Sequence, residues 1–159
     1  AALYVVLTLL ANTLGLANYA VQIRFSDALT ILPFFTPAAI PGLCIGCLLA
    51  NIITGCALPD IIFGTAATLL GAVFTYMLRR YKWLAPLPPI VANTLIVPFI
   101  LLYAYCLKPL WLSFLTVGLG ELLSCGVLGM LLLNLLSRYR RQLFPPLDNT
   151  SSAEEKAKG

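Results

Sequence analysis

The chain has 159 residues, 60% of them apolar and 10% charged, with a net charge of +4. That leaves too little polar surface for a water-soluble domain, and long apolar runs dominate over short alternating ones, so the composition predicts an all-α integral membrane protein. Histidine is absent and no G-x-x-x-x-G-K-[ST] stretch occurs, which excludes Ser–His or Cys–His nucleophilic pairs and a P-loop ATPase; the chain is not read as an enzyme.

A membrane span needs about 20 apolar residues. The first apolar segment, 1–16, begins inside a hydrophobic run and reads as a truncated first span. The more polar stretch ANYAVQIRFSDA follows as a loop. The next segment, 29–35, is too short to span alone and predicts a short, tilted second helix. Four more segments follow at 37–53, 59–78, 89–106 and 110–136, giving six in all. The membrane domain is expected over 1–141, and the polar residues 142–159 as a disordered cytoplasmic tail. Small residues at four-residue spacing (Gly42, Gly46 and Ala50; Gly64 and Thr68; Ala67 and Gly71) predict close helix crossings.

Charge sets the orientation. Arg79, Arg80 and Lys82 lie between the fourth and fifth segments, and Arg138, Arg140 and Arg141 follow the sixth. The positive-inside rule puts both groups and both termini in the cytoplasm, and leaves Arg24 and Lys108 outside. Topology thus accounts for the basic residues, and the net charge gives no reason to expect nucleic acid. Cys44 and Cys47 form a C-x-x-C inside an apolar helix, without a second ligand pair. They read as packing residues, and the odd count of five cysteines argues against a disulfide framework. No metal set and no cofactor are expected.

Three acids precede the tail: Asp27, Asp60 and Glu121. Asp27 follows Ser26 at the start of the second helix and Asp60 follows Pro59 at the start of the fourth, so each is expected to cap its helix or favour its dipole. Glu121 differs. Eleven residues beyond Leu110, it lies roughly 16 Å into the sixth helix, near the midplane, where a carboxylate is costly and marks a site or pathway. Asn93 is the other polar group inside a span. Counted from the start of its helix it falls nearer the cytoplasm than Glu121, so the two share a site only if the fifth helix starts deeper. Phe25, Phe34, Phe35, Tyr103, Tyr105 and Trp111 cluster at span ends as an interface belt, with Phe35 a candidate to stack on a flat ligand. Arg24, Phe25 and Asp27 form a candidate outer lid.

The stretches FSDALTILPFFTPAAIPGLCIGCLLANI, LPDIIFGTAATLLGA, KWLAPLPPIVANTLIV and TVGLGELLSCGVLG resemble the QueT family across about 1–141. The resemblance implies a six-helix S-component bundle, the substrate-binding subunit of an energy-coupling-factor (ECF) importer for queuosine precursors. It also implies docking onto a shared ECF transmembrane subunit carrying two ATPase subunits. Such docking commonly uses an alanine pair on the first helix, of which Ala1 or Ala2 is the matching second member. A 7-deazaguanine presents a ring N–H and an exocyclic amine. Glu121 can accept both, and Asn93 can serve the remaining edge. The candidate substrate residues are therefore Glu121, Asn93, Asp60, Arg24, Asp27 and Phe35. The alternatives are an S subunit for another vitamin-like molecule, or a small membrane channel or structural protein.

Overall fold

The computed structural model describes residues 1–15, 24–106 and 108–143. These form six helices, and no strand occurs among the described residues. Helix α1 is Ala2–Thr13; α2 is a 3-10 helix, Phe25–Phe34; α3 is Ala39–Ile53. Helix α4 begins at residue 58, widens into a π-type turn at Asp60–Gly64 and continues as Thr65–Met77. Helix α5 is Leu87–Tyr105. Helix α6 joins Leu110–Glu121, a π-type stretch Leu122–Leu128, and Gly129–Leu143 in one continuous rod. The segments Asp60–Met77, Lys82–Ala104 and Leu110–Tyr139 are long and apolar enough to cross a membrane.

The short second helix is the hub of the bundle. Seven of its ten residues are buried, including Ser26, Asp27, Thr30 and Ile31, and it packs against α1, α3, α4 and α6. Its sequence carries apolar or small residues all round, as a helix enclosed on every side requires. The 3-10 geometry rises about 2.0 Å per residue instead of 1.5 Å, so ten residues reach roughly 20 Å through the interior. Helix α5 starts at Leu87, two residues before the expected Pro89, because prolines are tolerated in a first turn where no N–H is needed. Helix α6 continues to Leu143 rather than ending at 136, and its final turns carry the arginines. The expected tail therefore loses Gln142 and Leu143 to the helix, and residues 144–159 lie outside the described ones.

Two glycines fix the crossings. A Cβ on Gly46 would sit 2.8 Å from Tyr4 Cβ and 3.0 Å from the Ala1 carbonyl, so α1 lies directly on α3 there. A Cβ on Gly71 would sit 2.8 Å from Pro89 Cα, where α4 meets α5. Both are close backbone approaches of the kind small residues permit between membrane helices. One apolar cluster joins Tyr4, Leu29, Leu43, Cys47, Ala50 and Ala72. A second joins Ile31, Ala85 and Leu133, which brings the Arg79–Lys82 connection and the basic end of α6 to the same end of the bundle. Outward positions such as Ile45, Phe63, Leu95, Leu115 and Leu131 are large, apolar and exposed, the surface that lipid tails would cover.

Candidate functional site

All six helices send a buried polar side chain inward: Tyr4 from α1, Asp27 and Thr30 from α2, Asn51 from α3, Asp60 and Thr68 from α4, Asn93 from α5, and Glu121 from α6. Polar groups this deep in an apolar bundle need partners, and most find them in one another. Asn93 Nδ2 donates to Glu121 Oε1 at 3.0 Å. Cys125 Sγ lies 3.3 Å from Glu121 Oε2 and 3.3 Å from the Asp27 carbonyl, bridging α6 to α2. Tyr4 OH donates to Asp27 Oδ1 at 2.8 Å. Thr30 Oγ1 donates to the Asp27 carbonyl at 2.6 Å and meets Cys125 Sγ at 3.5 Å. A second strand of contacts runs from Thr68 to Cys47 at 3.3 Å and from Asn51 to the Asp60 carbonyl at 3.4 Å. Arg24, at the entry to α2, is within electrostatic reach of both Asp27 and Asp60.

The fold answers the depth question raised by Asn93. Helices α5 and α6 are antiparallel neighbours joined by a short turn. Asn93 lies twelve residues before the end of α5 at Tyr105, and Glu121 lies eleven residues after the start of α6 at Leu110. At 1.5 Å per residue both sit roughly 16–18 Å from that shared turn. The fifth helix does not start deeper; counting from its far end misjudged the level.

Asp27 and Asp60 both lie in the first turn of a helix, the dipole-favourable place expected for them, but α2 has no side-chain capping bond from Asp27. Asp27 is 1% exposed and turned inward to Tyr4, because α2 is enclosed by its neighbours and has no solvent-facing first turn. Asp27 is thus part of the interior cluster and not of an outer lid. Arg24 and Phe25 are half-buried, and loop residues 16–23 lie outside the described residues. Phe35 is not brought to the cluster. It packs edge-to-face on Phe34 and lines a separate cavity with Met77, Arg79 and Arg80. Ala1 and Ala2 are exposed at the start of α1, with the Ala1 backbone against Gly46. Cys44 and Cys47 are free thiols, Cys47 buried.

Both π-type stretches adjoin a buried acid: Asp60 opens Asp60–Gly64, and Glu121 immediately precedes Leu122–Leu128. Such widened turns are frequent at functional sites. They also leave backbone and side-chain groups re-aimed beside the acid. Around the Asp27–Glu121 pair, Ser26 Oγ, Asp27 Oδ2 and Ser124 Oγ are buried with no hydrogen-bond partner among the described residues. Tyr4, Thr30 and Cys125 were not anticipated from sequence. For Cys125 the signal was its four-residue spacing from Glu121, which places both on one helix face; Tyr4 gave none beyond a hydroxyl in an apolar span.

Acceptors and donors converge from all sides, while the described residues hold no group of three or more metal-ligating side chains. No curated protein and no solved structure matches the chain. The QueT transporter profile, however, matches residues 1–138, all six helices up to the last turns of α6, and so the chain belongs to the QueT transporter family.

Proposed function

We propose that this chain is the substrate-binding subunit of an energy-coupling-factor importer, and that its ligand is a queuosine precursor of the 7-deazaguanine class held at Glu121 and Asn93. One observation carries the reading: a midplane carboxylate and an amide, on neighbouring helices, are fixed to each other at 3.0 Å inside a polar cluster fed by every helix. A carboxylate accepts the paired ring N–H and exocyclic amine of a guanine-like edge, and the amide offers a donor and an acceptor to the rest. The buried, unpartnered Ser26, Asp27 and Ser124 oxygens give such a ligand further places to bond. Their isolation would otherwise cost about 1–3 kcal/mol each.

In this reading the chain crosses the cell membrane several times with both termini in the cytoplasm. It binds substrate from outside and docks by the Ala1–Ala2 end of α1 onto an ECF transmembrane subunit that carries two ATPase subunits. Arg24 and Asp60 lie at the outer entrance. Phe35, remote from Glu121, has no part in this site. The test is native mass spectrometry of the purified protein for a co-purified base, followed by calorimetry with 7-deazaguanine ligands. One tightly held ligand per chain supports the reading. The absence of binding by every 7-deazaguanine to a folded protein overturns it.

A further inference from the structure

At the opposite end from Arg24, where α2 and α4 finish, a cavity of about 580 Å³ opens between Phe34, Phe35, Met77, Arg79 and Arg80. Its floor is apolar: the Phe34 and Phe35 rings pack edge-to-face at 5.2 Å on the cluster of Ile31, Ala85 and Leu133. Its rim is cationic. The three acids that precede residue 148 are all buried in the interior cluster, and none lines this cavity. The Arg79 guanidinium carbon lies 4.4 Å from the Tyr76 ring centroid, a cation–π contact that does not use up the guanidinium's N–H donors to an anion.

Three features say where that anion comes from. Arg79 and Arg80 immediately follow a helix long and apolar enough to span a bilayer. The exposed aromatics Tyr81 and Trp83, 59% and 83% accessible, come directly after, as at a headgroup-level belt. Above the cavity, Leu70, Phe74 and Met77 are exposed along one face of α4 at spacings of four and three residues. Together these form a track for a hydrocarbon chain that ends at two arginines. The volume also falls in the range of small-molecule clefts, roughly 300–1,000 Å³, more than a bare phosphate fills.

We infer that the Phe34–Phe35–Met77–Arg79–Arg80 cavity is a binding site for one anionic phospholipid. Its phosphodiester is held by Arg79 and Arg80, its headgroup sits over the phenylalanine floor, and an acyl chain runs along Met77, Phe74 and Leu70. The site is separate from Glu121 and stands whether or not the ligand reading does.

The experiment is native mass spectrometry of the protein released from nanodiscs of phosphatidylcholine with and without phosphatidylglycerol. Wild type should retain one phosphatidylglycerol per chain under conditions that strip phosphatidylcholine. Arg79→Gln/Arg80→Gln should lower that retention at least tenfold, while Arg138→Gln should leave it unchanged. Arg79→Lys/Arg80→Lys, which keeps the charge but not the planar fork, should fall between. Unchanged thermal midpoints identify the effect as loss of a site and not of the fold. Retention by the Gln pair equal to wild type overturns the inference. So does displacement of the lipid by millimolar inorganic phosphate, which would make this a free-anion site. It is also overturned if the Gln pair keeps its lipid but loses assembly with an ECF transmembrane subunit, which would make the cavity a protein-docking surface.

Discussion

Asn93 and Glu121, 28 residues apart, meet at 3.0 Å because α5 and α6 fold back on one another about a short turn that lies nearly equidistant from both. The amide spends one of its two N–H donors on the carboxylate. Glu121 is therefore held in one position from α5 by Asn93 and from α6 by Cys125. Under the proposed function, such fixation from two sides would pre-organise the buried acceptor for its ligand.

Removing the amide tests that fixation. Asn93→Ala takes away a buried donor and, under the proposed function, a ligand contact; the lost bond with its stranded acceptor is worth about 1–3 kcal/mol, or roughly 5- to 150-fold in affinity for a 7-deazaguanine. Calorimetry reads the change directly. An unaltered affinity would mean that Asn93 only ties α5 to α6.

The α1–α3 crossing makes a prediction about the fold. Gly46→Val places side-chain atoms where Tyr4 Cβ and the Ala1 carbonyl already stand. Overpacking of this kind costs about 1–3 kcal/mol, so the thermal midpoint in detergent should fall. Gly42→Ala should be nearly silent, because its Cβ would meet only the Ala1 nitrogen at 3.6 Å, an ordinary contact. Equal behaviour of the two variants would refute the crossing.

How far the sequence carried the structure depends on the element. Helices α4, α5 and α6 were legible from hydropathy alone, and the close crossings from Gly46 and Gly71. Helix α2 was visible only as a fragment too short to span. Its place at the centre depends on what wraps around it, which a local pattern does not contain. Glu121 stood out because nothing near it in the chain explains a midplane acid. Tyr4 and Cys125 did not, since a tyrosine passes for a belt residue and a cysteine for a small apolar one. Asp27 sits in the first turn of α2 as expected but makes no cap, because neighbouring helices enclose that turn and Tyr4 takes the carboxylate, which a local pattern does not contain. The π-type stretches left no local mark, because widening a helical turn answers to tertiary packing beside Asp60 and Glu121.

Membrane orientation is open to a direct check. With the basic connection after α4 and the basic end of α6 at one end of the bundle, the positive-inside rule predicts that position 151 faces the cytoplasm. In a background where the exposed thiol Cys106 is replaced by alanine, a cysteine introduced as Ser151→Cys should react with an impermeant maleimide only after the membrane is opened. Labelling in intact cells would reverse the topology.

The Tyr4–Asp27 bond ties the start of α1 to the hub helix and its polar core. Tyr4→Phe deletes the donor to Asp27 Oδ1 while Oδ2 already lacks a partner among the described residues. The destabilisation should be about 1–3 kcal/mol, seen as a lower thermal midpoint. In the Asp27→Asn background the same change should cost less, because an amide is cheaper to leave unpaired than a carboxylate. Additive losses in the double-mutant cycle would show that the two side chains do not interact.

Glu121 remains the decisive residue, and Glu121→Gln is the informative change. The amide oxygen can keep the bond from Asn93, and the new N–H₂ group meets Cys125 Sγ, a weak acceptor, so the bundle should fold with an unchanged or raised thermal midpoint. The ligand edge fares worse. A donor now stands where an acceptor faced a ring N–H or an exocyclic amine, so one charge-assisted bond is lost and two donors oppose each other. That costs on the order of 2–4 kcal/mol, or roughly 30- to 1000-fold in affinity. Calorimetry of both proteins with a 7-deazaguanine separates the outcomes. A large loss of affinity in a well-folded variant places the ligand on Glu121, whereas equal affinities would make this carboxylate a structural tie between α5 and α6 and send the search for the ligand to Asp27 and Asp60.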